Sequence, residues 1–316
     1  MTRRQAPLFT ITLNPALDLS AEVPRVEAGP KLRTGPVRVE AGGGGINAAR
    51  VAAALGGTVT ALACLGGATG HRLARMLGDV PGLTLQALPA PGETRESLSI
   101  TEIATGAQFR FVLPGPTFDP NGADALIAAL AAAIAPGAWV VLSGSQPPGL
   151  PDDLPLRLAA SMPAEARLIV DTSGAPLDRL LASPASARAP ALLRLDEAEA
   201  RARAPGTPAA DLARALVTRG LARAVAVARG ERGNVLATTD GAWACTPPVV
   251  PVVSKVGAGD AFVGACALSL ARGLPWPEAL RQGTAAAAAT VSTPGTQLCR
   301  ADDVARLAGL CTLTAA

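Results

Sequence analysis

Short apolar runs alternate along this chain with longer stretches in which apolar residues recur at three- and four-residue spacing. The runs Leu8–Leu13, Val59–Cys64, Trp139–Leu142, Leu168–Val170, Leu192–Leu195 and Ala224–Ala228 have the length and composition of strands buried on both faces. Between them the spacing predicts helices over Ile46–Leu55, His71–Leu77, Gly122–Ala135, Asp152–Ala160, Pro208–Arg219, Ala258–Ala271 and Pro277–Thr290. Strands and helices in alternation predict an α/β architecture, a mainly parallel sheet with helices on both faces. Ligands on such sheets bind outside the carboxyl ends of the strands, where most glycine- and aspartate-rich segments of this chain fall.

Two segments, Ser20–Ala41 and Thr94–Leu113, break the rhythm. In the second, Ser97, Ser99 and Thr101 alternate with Leu98 and Ile100, and Phe109 and Phe111 follow a Thr105-Gly106 turn. Strands with one wet face predict a small antiparallel β insert, placed either to close over a site as a lid or to join two subunits. With no repeat, long linker or low-complexity tail, residues 1–316 are expected to form one α/β domain with lid inserts at about 20–41 and 94–113.

Composition removes several function classes. Apolar stretches such as Leu126–Ala135 and Thr284–Val291 fall short of the ~20 residues of a membrane span, and Met1–Pro7 leads into a strand-like run rather than a signal sequence. A cytoplasmic protein without a membrane partner is expected. Net charge is +3, and all basic residues but Lys31 and Lys255 are arginines spread along the chain. Aromatics are only 3% and tyrosine is absent, which argues against nucleic-acid binding. The five cysteines are scattered without a CxxC pair, and His71 is the sole histidine, so disulfide frameworks, zinc centres and histidine-based catalysis are not expected. Any catalysis must run on Asp, Glu, Arg, Lys, backbone amides and bound ions.

The run Ser254-Lys255-Val256-Gly257-Ala258-Gly259-Asp260 leads into the apolar series Phe262 to Leu270. Small residues at a helix start let an anion approach unpaired amides at the positive end of the helix dipole. Asp260 would stand beside that anion as a general base for a hydroxyl, or simply as a first-turn acid of an ordinary helix. A second cluster, Gly42-Gly43-Gly44-Gly45-Ile46-Asn47, also opens a helix. It contains G-x-G-x-x-A (Gly43, Gly45, Ala48), but no acid occurs between Ala41 and Gly78 to hold a ribose, which weakens a nicotinamide-enzyme reading. The glycines fit better as a floor for a sugar, with Asn47 on its hydroxyls, or as a structural turn. Neither lysine precedes Ser or Thr, so no P-loop is present. Lys31, Arg33, Arg95 and Arg110 in the two inserts could clamp a phosphate dianion or be ordinary solvated charge.

With these segments in view, the chain resembles the ribokinase/PfkB family of carbohydrate kinases along nearly its whole length. Gly257–Asp260 looks like that family's second signature and Gly42–Asn47 like its first, in the form associated with PfkB-type 6-phosphofructokinases. Thr12–Asp18, Gly66–Gly70, Phe109–Gly115, Ser143–Gly149, Asp171–Gly174 and Gly295–Cys299 are similar to the same subgroup. The resemblance implies a ribokinase-like Rossmann-type fold with a β lid, a homodimer through that lid, and phosphorylation of fructose 6-phosphate at its 1-hydroxyl by ATP with Mg²⁺ and K⁺. Position by position it implies Asp18, Gly43, Gly44 and Asn47 on the sugar hydroxyls, with Lys31, Arg95 and Ser143 on or near the sugar phosphate. Asp196, Gly230 and Gly233 would border the nucleotide, and Glu199 would organise magnesium through water. Gly257, Ala258 and Gly259 would cradle the phosphoryl group, Asp260 would be the base, and Ser254 and Val256 would hold a monovalent cation. The family's Lys-Pro-Asn-x-x-Glu is here Arg194-Leu195-Asp196-Glu197-Ala198-Glu199, with Ala228 and Gln297 as further departures. Fructose 1-phosphate and tagatose 6-phosphate are the alternative substrates, and a weakly catalytic sugar-phosphate-binding regulator is the alternative of another class.

Overall fold

The computed structural model describes residues 5–295 and 297–316; Thr296, within the Gly295–Cys299 segment, and Met1–Arg4 lie outside the described residues. The strands are β1 (Leu8–Thr12), β2 (Ala16–Val23), β3 (Arg38–Gly42), β4 (Val59–Leu65), β5 (Leu83–Pro89), β6 (Arg95–Glu102) and β7 (Gln108–Val112). They continue as β8 (Trp139–Ser143), β9 (Arg167–Asp171), β10 (Leu192–Leu195), β11 (Ala224–Ala228), β12 (Asn234–Thr238), β13 (Gly241–Thr246) and β14 (Thr312–Ala315). The helices are α1 (Gly44–Ala54), α2 (Gly67–Gly78), α3 (Ala123–Ala133), α4 (Leu154–Ser161) and α5 (Gly174–Leu181). They continue as α6 (Glu197–Arg203), α7 (Ala209–Thr218), α8 (Ala258–Ala271), α9 (Trp276–Val291) and α10 (Ala301–Ala308).

Ten strands form one sheet in the order β14-β13-β12-β11-β10-β9-β8-β1-β4-β5, parallel from β11 to β5 and antiparallel from β11 out to β14. All six expected strands and seven expected helices lie on observed elements, to within a few residues at their ends. Side-chain alternation splits the core between the two faces. Leu8 of β1 and Ala61 and Ala63 of β4 pack under α1, α8 and α9, whereas Phe9 and Ile11 of β1 and Leu62 of β4 pack under α3, α4 and α7. Strand order reverses between β1 and β8, so their carboxyl ends splay apart and open a crevice.

The second sheet has the order β3-β2-β6-β7. It is the expected β insert, and it begins earlier in the chain, at Ala16. Its outer pairs are antiparallel, but β2 and β6 run parallel, Ala16 opposite Arg95 and Asp18 opposite Ser97. The expected antiparallel lid is present, with one parallel pair at its centre. The two segments come from separate excursions out of the main sheet, so they enter side by side instead of as one hairpin. Among the described residues no helix is long and apolar enough to cross a membrane.

Candidate active site

Carboxyl ends line up across the large sheet and carry most of the residues singled out from the sequence. Ser143 ends β8, Asp171 ends β9, Arg194 lies near the end of β10 with Asp196 beyond it, and the Gly230–Arg232 turn follows β11. Above the crevice beside β1 sit the N-termini of α1 and α8. Their close packing decides where Asp260 lies. At Gly264, one turn beyond Asp260, an added Cβ would come 2.4 Å from the Ala48 carbonyl oxygen, so the α8 backbone lies directly on α1. Asn47 therefore meets Asp260, and its Nδ2 donates to Oδ2 at 2.9 Å.

Gly257 is the N-cap of α8 and adopts a left-handed conformation, φ 78°. It starts α8 at the cleft, which Gly257 and, three residues on, Asp260 both line. That cleft has a volume of about 250 Å³. Gly43, Gly44, Asn47, Gly257 and Asp260 line its floor, the small sheet contributes Asp18, Arg95, Ser97, Ser99 and Arg110, and Lys255 and Val256 close one side. Two larger hollows, about 530 Å³ between α3 and α4 and about 400 Å³ beside α9 and α10, gather fewer convergent polar groups. The cleft is the stronger site on chemistry rather than size.

The two carboxylates of the cleft are both displaced from ordinary acidity. Removal from water pushes Asp260 up to about 7; the charge of Asp171 adds to this, while the Asn47 hydrogen bond and the Arg194 guanidinium oppose it. Asp18 rises to about 6, again chiefly through burial, with Arg95 and Arg110 pulling it down. A carboxylate poised near neutrality beside helix-terminal amides suits proton abstraction from a hydroxyl at the point where an anion gathers.

The four glycines divide their work. Gly43 and Gly44 face the cleft. Gly42 makes room for the Asp18 carboxylate, since a Cβ would stand 2.1 Å from its Oδ2, and Gly45 presses on the backbone of Ile11. Arg95 anchors on backbone, its guanidinium donating to the carbonyls of Asn14 at 3.2 Å and Leu113 at 3.3 Å, with its outer edge on the cleft.

Other residues singled out from the sequence are not among those lining the cleft. Lys31 stands on the exposed loop between β2 and β3 and is not among the cleft-lining residues. Ser143 is buried behind Gly44 and its hydroxyl donates to Asp171 at 2.9 Å, so it supports the floor instead of reaching the cleft. Asp196 caps α6: its Oδ1 accepts from the Glu199 amide at 2.7 Å while Glu199 Oε2 accepts from the Asp196 amide at 2.8 Å. This reciprocal box explains the acid at Asp196 as a cap that survives loss of the preceding proline. Gly233 is held at φ 77° where a Cβ would come 1.9 Å from the Cys245 carbonyl oxygen, so the turn after β11 is kept close to β13. Ser254 accepts from the Val256 amide at 3.3 Å, and the Val253 and Ser254 amides donate to the Val291 carbonyl at the end of α9. His71 Nδ1 lies 2.7 Å from the Gly67 carbonyl oxygen of its own helix, and the residue is not among those lining the cleft.

Two residues to which the sequence reading gave no role lie at the centre. Arg194 Nη1 and Asp171 Oδ1 form an ion pair at 3.0 Å, and the guanidinium packs within 3.0 Å of where a Gly259 Cβ would stand. Asp171 belonged to a recognised motif, but only the sheet order brings β9 and β10 together beneath α8.

A family model described as pfkB family carbohydrate kinase matches residues 9–303. The chain belongs to this family of carbohydrate kinases. It is similar to the ATP-dependent 6-phosphofructokinase isozyme 2 of Mycobacterium tuberculosis, 39% identical over 300 residues that cover 95% of this chain and 88% of that protein. It is also similar to a 1-phosphofructokinase of Xanthomonas campestris, 34% identical over 269 residues covering 83% of each chain. Among solved structures, phosphofructokinase-2 from Escherichia coli in complex with potassium superposes with a TM-score of 0.89 at 34% identity, covering 96% of this chain and 99% of that one. The ribokinase-like fold expected from the sequence is therefore the fold of this pfkB-family chain.

Proposed function

We propose that this pfkB-family kinase transfers the γ-phosphate of ATP to the 1-hydroxyl of fructose 6-phosphate, giving fructose 1,6-bisphosphate. The observation that carries the reading is Asp260, near-neutral and oriented by Asn47, three residues beyond the left-handed Gly257. The acceptor hydroxyl gives its proton to the Asp260 carboxylate as its oxygen bonds to the γ-phosphorus. The bond to the β,γ-bridging oxygen breaks, and ADP leaves with that electron pair. Amides of Gly257, Ala258 and Gly259 stabilise the charge on the equatorial oxygens. Asp18, Gly43, Gly44 and Asn47 hold the sugar, and Arg95 with Arg110 holds its resident phosphate.

Among the described residues no cluster of three or more His, Cys, Asp or Glu forms a metal cage. That fits Mg²⁺ carried in on the nucleotide, which keeps most of its waters and needs one or two carboxylates from the protein. Asp171 and Glu199, close enough to influence each other's charge, are such hard oxygen donors. When bound, the ion neutralises phosphate charge. Asp196, Gly230 and Gly233 border the nucleotide in this reading, and the Ser254–Val256 segment takes the monovalent cation. The apolar face of the lid, with exposed Leu98 opposite exposed Phe111 and half-buried Ile100 opposite exposed Phe109, suits a second copy of the chain.

Fructose 1-phosphate is the second reading, favoured by the similarity to a 1-phosphofructokinase. A coupled ADP-release assay with fructose 6-phosphate, fructose 1-phosphate and tagatose 6-phosphate decides among them. Asp260→Asn should lose ~10²–10⁴ in turnover while binding is largely kept, as for a general base. Wild-type turnover in that variant, or no turnover of any sugar phosphate by the native protein, overturns the kinase mechanism.

A further inference from the structure

We propose that Lys255 is a further catalytic residue, its ammonium binding the phosphoryl group in transit between nucleotide and sugar. The inference rests on the kinase reading above and adds a group that the signature run does not assign.

Lys255 lies two residues ahead of the α8 N-cap and lines the same cleft as Gly257, Asp260, Asn47 and Arg110. Its backbone is pinned. The preceding residues Val253 and Ser254 donate their amides to the Val291 carbonyl at 2.8 and 3.1 Å, and the Ser254 hydroxyl accepts from the following residue, Val256, at 3.3 Å. The side chain is exposed, and among the described residues its ammonium has no hydrogen bond or ion pair. A rigid base carrying a mobile point charge results.

Three other arginines around the cleft are committed. Arg95 is fixed to two carbonyls, Arg194 is paired with Asp171, and Arg50 donates to the Ala41 carbonyl at 2.8 Å. Arg110 stands on β7 in the lid, on the side where a resident phosphate would be clamped. Lys255 stands two residues ahead of the α8 N-terminus, on the segment that carries the amides of this reading. Lys31, the only other lysine, lies on an exposed loop outside the cleft lining. In the step itself the hydroxyl oxygen bonds to phosphorus, Asp260 takes the proton and ADP departs with the electrons of the broken bond. Negative charge shifts among the phosphoryl oxygens throughout. A flexible ammonium with three donors can follow that shift without being consumed, which a fork already paired to a carboxylate cannot.

The test compares Lys255→Met, Lys255→Arg and the native full-length chain in steady state with ATP and the preferred sugar phosphate, alongside melting temperatures. Because the side chain is exposed, all three should melt alike. Lys255→Met should lose roughly 10–100-fold in kcat, as for removal of one transition-state donor, with the sugar-phosphate KM changed less than about threefold. Lys255→Arg should recover part of the loss, a rescue that a packing role would not produce. A Lys255→Met kcat within about twofold of native overturns the proposal, as does a sugar-phosphate KM raised tenfold at unchanged kcat, which would put the ammonium on the resident phosphate. If the native chain turns over and Asp260→Asn does not, those outcomes sink only the role of Lys255. If the native chain phosphorylates no sugar, the kinase reading falls and this inference with it.

Discussion

Gly264 lies against Ala48 so closely that an added Cβ would come within 2.4 Å of the Ala48 carbonyl oxygen and 3.0 Å of its Cα. One residue from Ala48 is Asn47; one helical turn from Gly264 is Asp260. The contact between two helix backbones thus sets the 2.9 Å hydrogen bond between side chains 213 positions apart in the chain. Gly264→Ala should force α1 and α8 apart, costing about 1–3 kcal/mol as for an overpacked core. Its melting temperature should fall, and kcat should drop by more than the loss of folded protein explains, because the carboxylate loses its orienting donor.

The pH dependence follows from Asp260. Its carboxyl sits at about 7, and a general base works only when deprotonated, so kcat/KM should rise with pH through an acid limb near neutrality. Asn47 holds the carboxylate form by hydrogen bonding. Asn47→Ala should therefore shift that limb to higher pH, and a pH–rate profile of the variant reads it directly.

The same burial gives a stability signature. A carboxyl whose folded pKa lies above its unfolded one binds extra protons in the native state, so its charge destabilises the fold as pH rises from about 4 through 7. Asp260→Asn removes that charge. Without ligands it should melt higher than the native chain at pH 8, by a few degrees, and the margin should shrink as pH falls toward 4.

Asp196 separates capping from charge. Asp196→Ala should cost about 0.5–2 kcal/mol by opening the reciprocal box with Glu199. Asp196→Asn keeps a cap and removes the charge, so melting temperature should hold while the KM for ATP falls severalfold. An unchanged KM would mean that the carboxylate does not face the nucleotide.

Arg95 is held by two carbonyls and presents its edge to the cleft. Arg95→Ala removes a charge-assisted contact of about 1.5–3 kcal/mol, so the sugar-phosphate KM should rise roughly 10–100-fold. The preference over the unphosphorylated sugar should narrow by a similar factor, measured as the ratio of kcat/KM values.

Apolar periodicity was sufficient to recognise the main-sheet strands β1, β4, β8, β9, β10 and β11, because buried parallel strands carry short continuous apolar runs. The antiparallel extension β12–β14 and the edge strand β5 escaped that reading. Leu83–Pro89 buries only Leu83 and Leu88 along the sheet edge, and Thr312–Ala315 is mostly exposed. Neither has the apolar signature of a core strand. The glycine runs marked the floor of the cleft, because a missing Cβ and a left-handed turn are properties written residue by residue.

What chain order determined, then, was the local vocabulary: which segments are strands or helices, which turns need glycine, and which acid opens α8. The folded arrangement decided the partnerships. The Arg194–Asp171 pair beneath Gly259, the withdrawal of Ser143 behind Gly44, the absence of Lys31 from the cleft lining and the presence of Lys255 in it all depend on how distant elements meet. The reason is physical. Local conformation follows from the sterics and propensities of neighbouring residues, whereas a side chain's charge state and contacts follow from the low-dielectric surroundings that other segments create.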